Sequence, residues 1–354
     1  MKKILLIGNQ GYLGSRLTDY LQEHGYSCSG ADVGFFKDGI LYPPHSVSML
    51  QREARTLEER DIDGFDVVIL LAGISNDPFG NLTTEFIYDP TRQYALRIAK
   101  ICKTLGVRFI FPSSCSVYGA ADSPLDESGP VSPKTPYSLN KVQIEKDLAM
   151  ISDLNFSPIV LRLATVFGLS PRIRFDVVIN MLCGMAVTEK HVILNSNGQA
   201  WRPHVYIEDV CEAFRCCIEW DYRDGKLMVL NVGRNDNNRQ ILNVARAIQQ
   251  RVSHCSLDFL SQSHDGAVNE LVRDRKIQDG VDDRNYRVLF DRGLETIPGF
   301  KVKWTVEMGI ERLLQDLHSV ELDIPKFKQR EFYRLQQLEY LHKNLLVNDR
   351  LEWN

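Results

Sequence analysis

Short apolar runs alternate along this chain with segments whose apolar residues recur at helical spacing. Lys3–Ile7, Ser27–Asp32, Val67–Ala72, Arg108–Ser113 and Pro158–Leu163 read as strands. Between them, Gly11–Glu23, Thr91–Leu105 and Pro136–Ile151 read as helices, the second with Ala95, Ile98, Ala99, Ile101 and Cys102 at its apolar positions. Ile4 to Ile7 is continuously apolar, as a strand buried on both faces requires. Strand–helix–strand alternation of this kind implies right-handed crossovers and a parallel sheet with helices on both sides.

After Leu163 the alternation loosens. Pro171, the turn Asn195-Ser-Asn-Gly198 and the irregular basic stretch from Arg273 to Arg287 predict a smaller, loop-rich unit closing over the carboxyl edge of the sheet, where α/β proteins bind ligands. Glu212–Trp220 followed by Lys226–Val232 reads as a helix and strand returning to the sheet. The expected division is therefore residues 1–168, with 204–233 returning to them, then 169–203 with 234–322, and a tail of 323–354. Within the tail, Phe327–Leu346 reads as one amphipathic helix bearing Phe332, Leu335, Leu338, Leu341 and Leu345.

Composition changes this picture only by exclusion. A net charge of −4 over 354 residues offers no global attraction to nucleic acid or an anionic membrane. No apolar stretch approaches the roughly twenty residues of a membrane span, and the apolar start of the chain breaks into glycines too soon for a signal peptide. The eight cysteines form no Cys-x-x-Cys pair, so no metal site is expected and they read as reduced residues of a cytoplasmic protein.

The first candidate chemistry lies where the first strand ends. Gly8, Gly11 and Gly14 follow at three-residue spacing, letting the backbone turn tightly and approach a pyrophosphate at a helix N-terminus. Asp32 closes the second strand, where a carboxylate accepts hydrogen bonds from the ribose hydroxyls of NAD and repels the 2′-phosphate of NADP. Further along, Tyr137 and Lys141 are four residues apart and share a helix face. A lysine cation at about 4 Å, in an effective dielectric near 20, is worth roughly 4 kcal/mol, or about three pK units against the tyrosine reference of about 10. That brings a phenolate base within reach of neutral pH. Ser114, at the carboxyl end of the fourth strand, can hydrogen-bond the same substrate oxygen.

With these motifs the chain resembles the extended short-chain dehydrogenase/reductase proteins, specifically the NAD-dependent nucleotide-sugar epimerase/dehydratase group, over roughly residues 1 to 315. The resemblance rests on Gly8-x-x-Gly11-x-x-Gly14, Leu71-Ala72-Gly73, Ser113 to Gly119, Tyr137-x-x-x-Lys141, Leu161-Arg162 with Val166-Phe167-Gly168, and Gly198-x-x-x-Arg202-Pro203 leading to Asp209-Val210. It implies a Rossmann-type doubly wound parallel sheet with a smaller C-terminal α/β substrate domain, NAD as cofactor and a nucleotide-diphosphate sugar as substrate. Carried over by position, Ser114, Tyr137 and Lys141 are the catalytic group. Gly8, Gln10, Gly11, Tyr12, Leu13, Gly14, Asp32, Leu71, Ala72 and Gly73, with Tyr137 and Lys141, are the expected cofactor contacts. Ser75, Ser114, Cys115, Ser116, Thr165, Arg174, Asn180, Arg202 and Arg284 are the expected substrate contacts, the arginines because a guanidinium fork fits a diphosphate bidentately.

Departures from the family pattern narrow the reaction. The 4,6-dehydratases of this group carry an Asp-Glu pair just after the catalytic Ser/Thr, where this chain has Cys115 and Ser116, and the glutamate of the decarboxylase subgroup is absent from position 116 too. What remains needs only Ser114, Tyr137, Lys141 and NAD: oxidation of a sugar hydroxyl and its reduction, hence epimerisation, with C4 the expected centre. A dehydrogenase or ketoreductase that releases its product is the alternative, followed by a dehydratase or a non-catalytic NAD-binding protein. Thr165 stands where many 4-epimerases have asparagine, and Tyr206 replaces a histidine. Arg172 and Arg174, followed by Asp176 and Asn180, read either as substitute contacts or as solvated loop arginines at the cleft rim. The family usually forms homodimers through a four-helix bundle, for which Tyr94, Ala95, Ile98, Ala99 and Cys102 on one helix and Leu139, Val142, Ile144, Leu148 and Ala149 on the other are the expected apolar stripes.

Overall fold

The computed structural model describes residues 1–75, 84–259 and 285–354, and Arg284 lies outside them. Its first half runs β1 (Lys3–Ile7), α1 (Tyr12–Glu23), β2 (Ser27–Ala31), β3 (Ser48–Met49), α2 (Glu59–Ile62), β4 (Val67–Leu70), α3 (Thr84–Leu105), β5 (Arg108–Ser114), α4 (Pro136–Ile151) and β6 (Ile159–Leu163). It continues through β7 (Thr165–Phe167), α5 (Val178–Glu189), β8 (His191–Leu194), β9 (Trp201–Tyr206), α6 (Ile207–Glu219) and β10 (Met228–Val232). Seven strands pair in the order β10-β6-β5-β4-β1-β2-β3, all parallel. The chain order reverses between β1 and β4, so the loops after these two strands part and open a crevice at the carboxyl edge.

Alternation along β1 shows why its continuous apolar run was needed. Ile4 and Leu6 join one hydrophobic cluster, with Leu17 and Leu21 of α1 and Val210 and Phe214 of α6. Leu5 and Ile7 join the other, with Ala95 and Ile98 of α3 and Ile144 and Leu148 of α4. A side-chain period of two sends neighbours to opposite faces, and both faces are covered. A separate three-stranded sheet is built on β9, which pairs parallel with β7 and antiparallel with a strand at Asn238–Gln240.

Three expectations are corrected. Helix α3 starts at Thr84 rather than Thr91 and carries Pro90 within it, a position that sequence reads as a stop. The Asn140 side-chain amide donates to the Tyr88 carbonyl at 2.8 Å and braces that extra stretch. The tail is not one helix from Phe327 to Leu346. It forms a short helix at Ile324–Phe327, a 3-10 turn at Arg330–Phe332 and a helix at Arg334–Lys343, and ends in an antiparallel bridge between Val347 and Trp353. Phe327 and Phe332 leave the helical stripe because each stacks edge-on against Phe175, at centroid distances of 4.8 and 5.6 Å. Finally, Tyr94, Ala95, Ile98, Ala99 and Cys102 are all buried against their own sheet, so this stripe is not free to meet a second subunit. On α4, Leu139 and Met150 are exposed.

A buried ionic network ties α4 to the sheet. Glu145, one turn beyond Lys141, receives a fork from Arg162 of β6 at 3.1 and 2.6 Å and the Ser113 hydroxyl of β5 at 2.5 Å. The same guanidinium donates to the Tyr118 hydroxyl at 3.0 Å, which donates to Asn231 of β10 at 2.9 Å. Glu145→Ala leaves the Arg162 charge buried and uncompensated and should cost about 3–5 kcal/mol of unfolding free energy in urea titrations. The paired change Glu145→Leu with Arg162→Met should recover part of that loss.

Candidate active site

The turn after β1 is shaped by contacts that exclude side chains. Gly8 has φ +97°, and a Cβ there would lie 2.4 Å from the Ala72 nitrogen; a Cβ on Gly14 would lie 2.1 Å from the Gly8 carbonyl oxygen. Only glycine lets β1, α1 and the end of β4 come this close. Helix α1 then starts with Gly11 as its cap, without a side-chain capping bond and without an acidic residue in its first turn. Its positive end is thus left uncompensated, which suits an anion such as a pyrophosphate.

Asp32 lies at the rim of the same turn. Its carboxylate accepts from the backbone N–H of Gln10 and of Gly34, each at 2.8 Å, so it braces the glycine turn as well as facing the cleft. Burial pushes its carboxyl up, opposed by those two N–H groups. Each oxygen keeps acceptor capacity for a further donor, as two ribose hydroxyls would supply. A cleft opens here, bordered by Gly8, Gly11, Asp32, Leu71, Ala72 and Gly73. Tyr12 acts from behind the turn. It is buried and donates its hydroxyl to the Gly168 carbonyl at 2.9 Å. The glycine cradle, the bare helix end and the two-oxygen acceptor fit a dinucleotide.

Farther along the edge, the catalytic candidates converge. Ser114 ends β5 and caps the 3-10 turn Cys115–Tyr118, its Oγ accepting from the Ser116 N–H at 3.1 Å; the hydroxyl proton stays available for a substrate oxygen. Helix α4 is fixed at its start by Pro136 and by a reciprocal capping box between Thr135 and Ser138, which sets the position of Tyr137. One turn later Lys141 is buried, its ammonium donating to the Pro112 carbonyl at 2.8 Å and lying 4.3 Å from the Phe111 ring centroid and 5.7 Å from that of Tyr137. Burial pulls the Lys141 ammonium down to about 7, although Glu145 opposes this.

The substrate candidates divide. Arg174 pairs with Asp176 at 2.8 and 3.0 Å and donates to the Ser75 hydroxyl, which brings these two substrate candidates together. Both Arg172 and Arg174 are shielded from solvent, so the reading of solvated rim arginines does not hold. Arg202 is buried on β9, donates to the Trp201 carbonyl at 2.7 Å and lies 5.5 Å from the Tyr286 ring. Thr165 lies opposite His204 on β7. Two residues face elsewhere. Cys115 turns its thiol into the core toward the Arg162 carbonyl at 3.3 Å, and burial pushes that thiol up. Asn180 accepts from the Gly168 N–H and donates to Tyr12 and the Arg174 carbonyl, a brace beneath the loop. Ser116 Oγ is buried and has no hydrogen-bond partner among the described residues.

Sequence reading passed over Glu53, Ala54 and Arg55, which border the cleft beside Asp32. The strand before them is only Ser48–Met49, too short for any periodic signal.

A parallel sheet with this glycine turn and a Ser, Tyr, Lys group at the same edge defines a dinucleotide-binding α/β enzyme. More particularly, the chain belongs to the NAD dependent epimerase/dehydratase family, which matches residues 4–233, and NAD is its cofactor. It is 28% identical over 247 residues to the uncharacterized UDP-glucose epimerase YtcB of Bacillus subtilis, covering 65% of this chain and 76% of that one. Among solved structures it resembles TunA, an NAD dependent NDP-hexosamine 5,6-dehydratase of tunicamycin biosynthesis, with TM-score 0.72, 22% identity and coverage of 91% and 99%. It also resembles the UDP-N-acetylglucosamine 4-epimerase of Methanobrevibacter ruminantium M1, with TM-score 0.73, 20% identity and coverage of 90% and 98%. At these identities the two structures share the fold.

The depressed lysine gives a test. Its unfolded form binds a proton up to about pH 10.5 while the folded form loses it near 7, so unfolding free energy rises with pH across that window. Thermal melts of the cofactor-free protein should show the wild type gaining stability on Lys141→Met between about pH 7 and pH 10, with no relative gain below pH 7.

Proposed function

We propose that the protein is a cytoplasmic nucleotide-sugar epimerase acting at C4. The observation that carries this reading is the pair of residues after Ser114. Cys115 is turned into the core, and Ser116 is a hydroxyl, so neither position holds the carboxylate acid or base that elimination of water from a sugar requires. The residues that remain, Ser114, Tyr137 and Lys141, are those of a reversible alcohol oxidation. Eight free thiols support a reducing compartment, and no helix among the described residues is long and apolar enough to cross a membrane.

In this reading Tyr137 takes the proton of the sugar hydroxyl, and Ser114 donates a hydrogen bond to the same oxygen as charge develops on it. Lys141 and Arg174 supply positive charge around the phenol. Bound NAD would supply a hydride acceptor for the sugar carbon and, in the return direction, the donor of the same hydride, so none is consumed. The 4-keto sugar turns over between the two transfers, and Tyr137 returns the proton to the oxygen on the new face. Arg202 and Ser75 are the contacts proposed for the substrate's diphosphate and sugar ends.

The reading also carries a homodimer, with exposed Leu139 and Met150 on α4 as its proposed contact. Sedimentation of the wild type should give a dimer, and Leu139→Asp with Met150→Asp should give a folded monomer; a wild-type monomer at micromolar concentration overturns the assembly.

The chemical test incubates the NAD-loaded enzyme with UDP-, dTDP- and GDP-linked sugars and follows products by NMR and absorbance. A C4 epimer should form without accumulation of reduced cofactor. Tyr137→Phe should retain NAD and lose turnover by on the order of a thousandfold or more. Release of a dehydrated sugar, or stoichiometric cofactor turnover, overturns the proposal.

A further inference from the structure

The segment from Ile324 to Asn354 lies beyond the family match, which ends at residue 233, and it packs along the loop that follows Asp32. The Lys326 ammonium donates to the Leu41 carbonyl at 2.9 Å, and the Gln337 amide donates to the Phe35 carbonyl at 3.0 Å. The Arg334 guanidinium is 4.2 Å from the Phe36 ring centroid, and the Trp353 indole N–H donates to the Val33 carbonyl at 2.7 Å. Attached at four points, the loop takes its position from the tail. Phe35, Leu338, Leu341, Val347 and Leu351 then close into a small apolar cluster with Tyr88, apart from the two main cores.

The end of the tail enters the cleft itself. Arg350 and Leu351 border it, and their carbonyls accept from the Arg55 guanidinium at 2.8 and 2.5 Å. Arg55 is in turn held by Glu53 at 3.1 Å. Leu351 is buried and sits at φ +54°, a left-handed conformation that this docking maintains. The cleft includes Asp32 but neither Tyr137 nor Lys141, so it is the half of the site away from the reacting atoms. Val33, Phe35, Phe36, Ile74 and Leu351 give it the apolar walls that a flat heteroaromatic base fills.

We propose that Arg350 and Leu351 are cofactor-binding residues. The chain terminus forms the outer wall of the adenosine half of the NAD site, Arg55 is the positioning residue that holds it there, and the wall slows departure of the bound dinucleotide. Charge-assisted hydrogen bonds to two consecutive carbonyls fix backbone rather than a mobile side chain, so the wall must detach before the adenosine can leave. The effect therefore falls on dissociation more than on association. For an enzyme that returns its electrons to the substrate, as proposed above, a cofactor held between turnovers suits the chemistry.

The test loads the full-length protein with radiolabelled NAD and measures its dissociation in an excess of unlabelled NAD, for the wild type, Arg55→Gln and a chain ending at Asn348. Dissociation should accelerate on the order of tenfold in Arg55→Gln and further in the shortened chain, with association rates within about twofold. Hydrogen exchange should report faster exchange of the amides from 347 to 353 in Arg55→Gln. Exchange that rises while dissociation stays at the wild-type rate overturns the proposal. A melting temperature of the NAD-free protein that falls while dissociation is unchanged marks a merely structural tail and overturns it too. Should the shortened chain fail to fold, Arg55→Gln decides the question alone.

Discussion

The buried ion pair between Glu145 and Arg162 is the interaction on which the site's geometry depends. It joins three elements that reach the carboxyl edge from different parts of the chain: α4, which carries Tyr137 and Lys141, β6, and β5, whose Ser113 hydroxyl is the third partner. Ser114 follows Ser113 directly, and Lys141 lies one turn before Glu145. A displaced Glu145 would therefore shift the hydroxyl, the phenol and the ammonium relative to one another. A pair of charges out of water contributes little net stability, and its value here is positional, because each partner's remaining donors and acceptors are satisfied only in this arrangement.

Electrostatics along the carboxyl edge of the sheet are arranged at some cost to folding. Lys141 is buried against the Phe111 ring and a single carbonyl, with Glu145 as the nearby countercharge, and burial draws its ammonium down to about 7. At the opposite end, Asp32 is kept in an unfavourable, largely desolvated place by two backbone N–H donors of the turn it braces. Lys141 sits where an ordinary interior would place an apolar side chain, and Asp32 borders the cleft. Such paired departures from core chemistry are characteristic of binding and catalytic surfaces.

The loop after β7 is built differently. Arg172 and Arg174 on it, and Arg334 at the start of the tail's second helix, donate to carbonyl and carboxylate groups. Asn180 and Tyr12 tie that loop back to the glycine turn, so the two share one frame. A shift in the turn is thereby passed to the loop that carries Arg174.

Sequence by itself determined the parallel sheet, its helices and the glycine turn. These are dictated locally: a doubly buried strand must be continuously apolar, and a backbone approached to within 2.4 Å of a prospective Cβ admits only glycine. The positions of Ser114, Tyr137 and Lys141 were legible for the same reason, since a helix face and a strand end are short-range geometry. What only the tertiary structure decided concerns partners distant in the chain. Cys115 faces the core because Arg162 offers it a carbonyl, Asn180 braces a loop rather than a ligand, and the tail breaks where Phe327 and Phe332 find Phe175. The meeting of Arg55 with Arg350 and Leu351 spans 295 residues and leaves no periodic trace, because a guanidinium bonding to backbone carbonyls places no demand on the side chains it meets.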